Sequence, residues 1–337
     1  MQPKLQKLMP DFEIRAKAEL AFEITKLKKA RGAVILGHNY MEAALYNSVP
    51  DFVGDSLELS RKAAKTESNP IVFCGVRFMA ETAKILNPDK TVLLPAAKAG
   101  CSLASSITAA DVRKLRAEYP GIPIVTYINT YADVKAEVDI CCTSANASKV
   151  VESLKSDTVI FLPDEYLARN VAAETGKQVF FPESLKKSAL TTIGKSQQNM
   201  IAWHGRCEVH EKFSVEDITA IRKQFPDVCV LTHPECSPEV VAASDFSAST
   251  SRMVEFVKTS NAPHFLILTE CSMADNIIAE NPHKDILRLC SIRCPHMNEI
   301  TLQDTLDCLK YDRYVVDVPK EIRDRARRSL ERMLEVH

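Results

Sequence analysis

Three cysteines stand where metal chemistry would need them. Cys101, Cys207 and Cys294 each close a short, largely apolar segment, "TVLLPAAKAGC", "MIAWHGRC" and "DILRLCSIRC". The last runs on as "CSIRCPHMNE", with a proline directly after Cys294 and a histidine, His296, beyond it. Other apolar segments end in side chains that move protons or make hydrogen bonds. "AVILGHNY" delivers His38, Asn39 and Tyr40, "IPIVTYINT" delivers Tyr127, Asn129 and Thr130, and "DVCVLTHPE" delivers His233 and Glu235. Hydroxyls follow downstream of each: Ser56 in "VGDSLELS", Ser144 in "DICCTSANAS", Ser249 and Thr250 in "SDFSASTS". Histidine, tyrosine and glutamate are the groups of general acid–base catalysis. Hydroxyls at helix N-termini suit anions.

The spacing of these residues implies the elements that carry them. Ser56 to Ser144 and Ile71 to Val159 are each 88 residues. Ser144 to Thr250, Val159 to Phe265 and Cys101 to Cys207 are each 106, while Cys207 to Cys294 is 87. One insertion of about 18 residues between Val159 and Cys207, expected near 176–199, accounts for every difference. A fixed register of this kind is the mark of an internal repeat. The repeating runs are short and rich in Val and Ile, with charged helical stretches between them, which reads as α/β with parallel strands. "ITAADVRKLRAEYPG" and "SVEDITAIRKQFPD" lie in equivalent places after Cys101 and Cys207, with Thr108 and Ser214 as candidate N-caps. Parallel sheets bind ligands at the carboxyl ends of their strands. Three such units around a pseudo-threefold axis, strand ends inward, would bring the polar residues into one cavity and the three cysteines to one spot.

Composition excludes several classes. The chain has 337 residues, 46% apolar and 26% charged, the balance of a globular protein with room for more than one core. A formal net charge of -1 gives no reason to expect nucleic acid or an anionic membrane as partner. The first twenty residues spread charges throughout, unlike a secretory signal, and no run approaches the roughly 20 apolar residues of a membrane helix. The expectation is a cytoplasmic protein whose eleven cysteines stay reduced. Cys74, Cys141, Cys142, Cys229, Cys236 and Cys271 read as small core residues. With nine glycines there is neither a G-x-G-x-x-G nor a Walker A cradle. The basic "ARRSLERMLEV" near the end reads as an amphipathic helix with a solvated face.

A three-thiolate tripod suits two kinds of metal. Zinc would take a fourth ligand such as His210 or His296. An iron–sulfur cluster takes thiolates, and Cys-Pro commonly ends its ligand runs. A cubane on three cysteines leaves one iron free to act as a Lewis acid. Spacing does not separate these. Three readings stand at this point: a cluster enzyme, a zinc-dependent lyase or aldolase using the tripod plus a histidine, and a metal-free protein that binds a phosphorylated ligand. His204 and His296, beside the candidate ligands, are read equally as tuning groups or as packing.

From about Arg31 onward the chain resembles the quinolinate synthase family. The motifs that carry the likeness are "GHNY", "GDSLELSRKAAK", "GVRFMAETAKILNP", "LLPAAKAGCSLA", "YINTYADVKAEVDICCTSANA", "WHGRCEVHEKF", "LTHPECSP", "SDFSASTSRM" and "RCPHMNEITL". The resemblance implies three similar three-layer α/β/α units around a pseudo-threefold axis. It implies an oxygen-sensitive 4Fe-4S cluster on Cys101, Cys207 and Cys294. The implied reaction joins iminoaspartate to dihydroxyacetone phosphate, with loss of phosphate and two waters, to give quinolinate for de novo NAD biosynthesis. L-aspartate oxidase is the implied upstream supplier. His38, Tyr40, Tyr127, His210, His233 and Glu235 match catalytic positions, with Glu235 the candidate general base. His38, Tyr127, Asn129, His233, Glu235, Ser56, Ser144, Ser249 and Thr250 match substrate-binding positions. Some members carry C-x-x-C-x-x-C-P in the last motif. Here Arg288 and Ser291 occupy its first two positions and Cys290 is one residue out of register, which argues against a Cys290–Cys294 disulfide. Ala248 stands where many members have glycine, a change of small effect unless that position needs positive φ. The expected organisation is a first unit at 1–103 with an N-terminal helix, a second at 104–208 holding the insertion, a third at 209–296, and a closing segment, 297–337, that packs back on the body.

Overall fold

The computed structural model describes residues 1–182, 198–289 and 292–336. Most of the expected insertion, and Cys290 and Ser291, lie outside them. The protein is α/β, built on three parallel sheets that repeat one plan. The first holds β1 (Val34–His38), β2 (Phe52–Gly54), β3 (Ile71–Cys74) and β4 (Val92–Leu93), ordered β2-β1-β3-β4. The second holds β5 (Ile124–Tyr127), β6 (Ile140–Cys142), β7 (Thr158–Leu162), β8 (Gln178–Phe180) and β9 (Asn199–Ala202), ordered β6-β5-β7-β9-β8. The third holds β10 (Val228–Thr232), β11 (Phe246–Ser247), β12 (His264–Leu268) and β13 (Asp285–Arg288), ordered β11-β10-β12-β13. The middle unit differs by its edge strand β8, which pairs with β9 from Gln178 opposite Asn199. That strand falls in the stretch where the register changes.

The central strands are buried along nearly their whole length, as parallel strands covered on both faces must be. The intervening helices start where their caps dictate. Thr108 and Ser214 each accept the N–H three residues on, while Asp111 and Asp217 reach back to the cap N–H. Asp55 and Thr301 build the same capping box for helices Ser56–Lys65 and Leu302–Tyr311.

A second repeated device locks each unit. Asp51, Asp139 and Asp245 accept the backbone N–H of Ile35, Ile124 and Val230 at 2.8, 2.7 and 2.8 Å. Each also pairs with a base on the preceding helix: Lys28 at 2.7 Å, Arg116 at 3.1 Å and Arg222 at 3.0 Å. The same three bases reach the carbonyls of Val49, Glu137 and Ala243. The intervals from Asp51 to Asp139 and from Lys28 to Arg116 are 88 residues, and the next interval of each series is 106. The repeat therefore extends to charged surface residues, well beyond the apolar strands.

The closing segment crosses two units. Helix Leu302–Tyr311 lies on helix Asp11–Arg31 of the first, where Arg31 pairs with Asp312 at 2.6 Å. Val315 then bridges antiparallel to Leu93, beyond β4. Helix Lys320–Glu335 buries Ala326, Ser329, Leu330 and Met333, and Ser329 Oγ donates to the Lys135 carbonyl of the second unit at 2.9 Å. Its other face carries the charges. Ala248 is not among the residues of positive φ, so its side chain brings no backbone strain. Cys74, Cys141, Cys142, Cys236 and Cys271 are buried, and Cys229 is half-buried. Among the described residues, no helix is long and apolar enough to cross a membrane.

Candidate active site

The carboxyl ends of β1, β3, β5, β10 and β12 open on one cavity, with about 650 Å³ of space counted out to its mouth. The first unit contributes His38 from the end of β1, Tyr40 two residues on, and Ser56 at the start of helix Ser56–Lys65. The second contributes Tyr127 from the end of β5, then Asn129 and Ser144. The third contributes His233 and Glu235 after β10, and Thr250 at the start of helix Thr250–Thr259. Cys101, Cys207 and Cys294 lie on the same wall, with His210 in the turn after Cys207. Ser249 is the exception among the residues singled out in the sequence. It stands at the N-cap position of helix Thr250–Thr259 without a side-chain capping bond, is buried, and borders a neighbouring groove instead of the cavity.

Glu235 is the hub. Tyr127 Oη donates to its Oε1 at 2.5 Å, Asn129 Nδ2 stands 3.4 Å from the same oxygen, and His210 Nδ1 is 2.8 Å from Oε2. Burial by itself would raise this carboxyl. The adjacent His210, then His233 and the Tyr127 hydroxyl, hold it well below the usual carboxylate range. Burial, reinforced by the Glu235 charge, pushes the Tyr40 and Tyr127 hydroxyls well up, so both are neutral donors or acceptors. Burial also lowers His38 to about 4 and His233 to about 3, with Glu235 opposing in both cases, so both rings are neutral at pH 7. Glu235 is thus a carboxylate set among neutral His38, His233, Tyr40 and Tyr127.

Contacts across the seams fix this arrangement. His233 Nε2 lies 3.2 Å from Ser144 Oγ, joining the third and second units. Asn39 Nδ2 donates to Thr250 Oγ1 at 2.9 Å, joining the first and third. The His210 and His233 rings stack at 4.8 Å, and His38 meets Tyr40 edge-on at 4.8 Å.

The three cysteines occupy equivalent turns. The backbone N–H groups of Leu103 and Ala104 favour the ionised sulfur of Cys101, those of Val209 and His210 that of Cys207, and those of His296 and Met297 that of Cys294. In every case the donors are the second and third residues after the cysteine. Burial acts the other way and pushes the free thiols up, Cys101 to about 12 and Cys294 to about 11. A thiolate is therefore stable here only with a cation beside it, while the backbone is already arranged for one. Among the described residues, the group with metal-ligating atoms all within 4.8 Å of one another is Cys207, His210 and Glu235.

Several wall residues escaped the sequence reading. Asp55 caps helix Ser56–Lys65 from the cavity side; its D-x-x-E spacing with Glu58 was the available signal. Glu270 is fully buried on the wall and accepts the N–H groups of Ser272 and Cys294. Thr269, just after β12, bonds to both Tyr40 and His210. Both follow a central strand end, the place where such residues should be sought. His296 lines the cavity and pairs with Glu208 at 3.1 Å, whereas His204 stacks on Phe181 at 4.0 Å.

The chain is similar to known proteins over nearly its whole length. The family model described as Quinolinate synthetase A protein matches residues 22–335. The chain is 50% identical over 333 residues to Quinolinate synthase 2 of Mesorhizobium japonicum, covering 99% of this chain and 96% of that protein. It is 51% identical over 313 residues to Quinolinate synthase of Xylella fastidiosa strain Temecula1, covering 93% of this chain and 86% of the other. It is 46% identical over 337 residues to Quinolinate synthase of Caulobacter vibrioides, covering 99% and 86%.

Proposed function

The chain belongs to the quinolinate synthetase A family of enzymes, and from that premise we propose that it condenses iminoaspartate with dihydroxyacetone phosphate to give quinolinate, phosphate and two waters. The supply of iminoaspartate falls to an upstream oxidase acting on L-aspartate. The observation that carries this reading is the convergence, on one cavity wall, of three cysteines from three repeats with a buried carboxylate among neutral histidines and tyrosines.

The residues suit the substrates. Ser56 and Thr250 stand at the starts of ten-residue helices, and with Ser144 they offer hydroxyls to the phosphate and carboxylates. Carbon–carbon bond formation and two dehydrations require protons to leave carbon and reach departing oxygens. Glu235, ionised, accepts a proton. Tyr127, hydrogen-bonded to Glu235, and Tyr40, across the cavity, orient the reacting oxygens. Neutral His38 and His233 accept or donate hydrogen bonds without adding charge.

Cys101, Cys207 and Cys294 would hold a 4Fe-4S cluster, and their shared backbone N–H arrangement is what three thiolates need. Such a cluster supplies a Lewis-acid iron without a protein ligand. One feature favours a zinc lyase as second reading: Cys207, His210 and Glu235 form a group compact enough for a single ion. That group uses only one of the three cysteines.

Iron, acid-labile sulfide and zinc measured per chain after anaerobic purification separate the readings. About four iron and four sulfide are expected, falling sharply in each of Cys101→Ser, Cys207→Ser and Cys294→Ser, together with quinolinate formation from the two substrates. One zinc per chain would favour the second reading, and neither metal would leave only a phospho-ligand binding protein.

A further inference from the structure

Three site residues sit in loops that neither strand nor helix holds. Tyr40 follows β1, Asn129 follows β5 and Glu235 follows β10. Tyr40 to Asn129 is 89 residues and Asn129 to Glu235 is 106, so the three hold equivalent places. The backbone carbonyls of a buried loop need donors from elsewhere. Two of these loops receive them from the same residue type. Asn276, buried on helix Cys271–Glu280, donates through Nδ2 to the carbonyls of Asn39 and Met41, at 3.0 and 2.9 Å. Asn170, buried on helix Glu165–Thr175, donates through Nδ2 to the carbonyls of Pro234 and Cys236, at 2.8 and 3.0 Å. In each pair the carbonyls belong to the residues just before and just after a site residue, Tyr40 in one case and Glu235 in the other. Asn170 and Asn276 are each the sixth residue of their helix and lie 106 residues apart.

The contacts run one way round the molecule. A helix of the third unit clamps the loop of the first, and a helix of the second clamps the loop of the third. The first unit's helix Arg77–Leu86 meets the loop of the second, where Glu81 Oε2 accepts the Ala132 N–H at 2.9 Å. The sixth residue of that helix is Thr82, whose hydroxyl donates to the Phe78 carbonyl of its own helix at 2.8 Å. The Thr130 carbonyl, just after Asn129, takes the buried Lys135 ammonium instead. The double clamp is therefore confined to the loops of Tyr40 and Glu235. A carbonyl only accepts, so both Nδ2 hydrogens of each asparagine are committed and each amide has one orientation. Two bonds from one planar group hold the backbone on either side of a residue, and with it the direction in which that side chain leaves. We propose that Asn170 and Asn276 are positioning residues for the reaction: Asn170 clamps the backbone around Glu235, and Asn276 clamps it around Tyr40, each from the neighbouring unit. The inference rests on the quinolinate synthase reading of this cavity.

Asn170→Leu and Asn276→Leu nearly keep the shape and remove both bonds. Asn170→Ser and Asn276→Ser keep one donor hydrogen and serve where a Leu variant does not fold. In each Leu variant kcat is expected to fall on the order of 10-fold, the weight of one or two hydrogen bonds, with KM little changed. The losses should be selective. In a Glu235→Gln background Asn170→Leu should cost much less than in the wild type, while Asn276→Leu keeps its full cost; in a Tyr40→Phe background the order reverses. Equal costs in every background would overturn the proposal. Anaerobic crystal structures give a readout independent of turnover. The Asn170 variants should draw Glu235 away from its 2.5 Å contact with Tyr127 Oη and leave Tyr40 beside His210. The Asn276 variants should move Tyr40 and leave Glu235 in place. A site residue unmoved in its own variant would also overturn the proposal. Absence of quinolinate formation by the wild type would sink the functional reading alone, and the positions of Glu235 and Tyr40 would still decide the role of the two asparagines.

Discussion

At the scale of single residues, the site depends on the charge of Glu235. Glu235 is 3% exposed, yet three partners hold it ionised. Glu235→Gln keeps the shape and removes the charge and the base. Turnover is expected to fall at least ~100-fold, the usual weight of a positioned general base, with iron content unchanged. Normal kcat in that variant would remove Glu235 from the role. His38 and His233 make a different prediction, for stability. Histidine in the unfolded chain titrates near 6.5, while His38 in the fold is lowered to about 4 and His233 to about 3. Below about pH 6.5 the unfolded chain binds protons that the folded chain does not. Both contributions are therefore complete above pH 6.5 and shrink as pH falls toward 4, by roughly 1.4 kcal/mol per histidine per pH unit. Anaerobic denaturant titrations at pH 7.5 and 5.5 should show this loss, and a His38→Asn variant should show less of it.

At the scale of elements, the repeat was legible in strands and cysteines, and less so in what ties them together. Cys101, Cys207 and Cys294 are rare residues in a regular register, so their spacing carried information. Asp51, Asp139 and Asp245 obey the same intervals, but aspartates are common and nothing in the sequence marks these as the acceptors for a buried strand N–H. The structure separates the two halves of the device. Asp139→Ala leaves the Ile124 N–H without its acceptor and should cost roughly 1–3 kcal/mol. Arg116→Ala removes a partly exposed ion pair and should cost at most about 1 kcal/mol. Chemical denaturation of the two variants checks the order. Thr269 and Glu270 were hidden for another reason. Thr269 meets Tyr40 across a unit seam, 229 residues away in the chain, Glu270 accepts from Ser272 and from Cys294 in the following turn, and "LTECSM" alone does not say what either will meet. Ser249 and Thr250 look alike in sequence, but the start of one helix turns only Thr250 to the cavity.

At the scale of the whole molecule, three units agree in topology and differ in what they offer the cavity. The common plan is the sheet order, the aspartate lock and the thiol turn. The differences are the substrate-facing groups: histidine and tyrosine from the first unit, tyrosine and asparagine from the second, histidine and glutamate from the third. The shared thiol turn has an arithmetic consequence. A ring of three like units offers equivalent ligands in threes, and a fourth must come from a residue that the repeat does not share. A four-metal cofactor held by the three shared thiolates alone would keep one metal unclaimed by them. A coordination position left over for a reactant would then follow from the threefold plan of the scaffold itself.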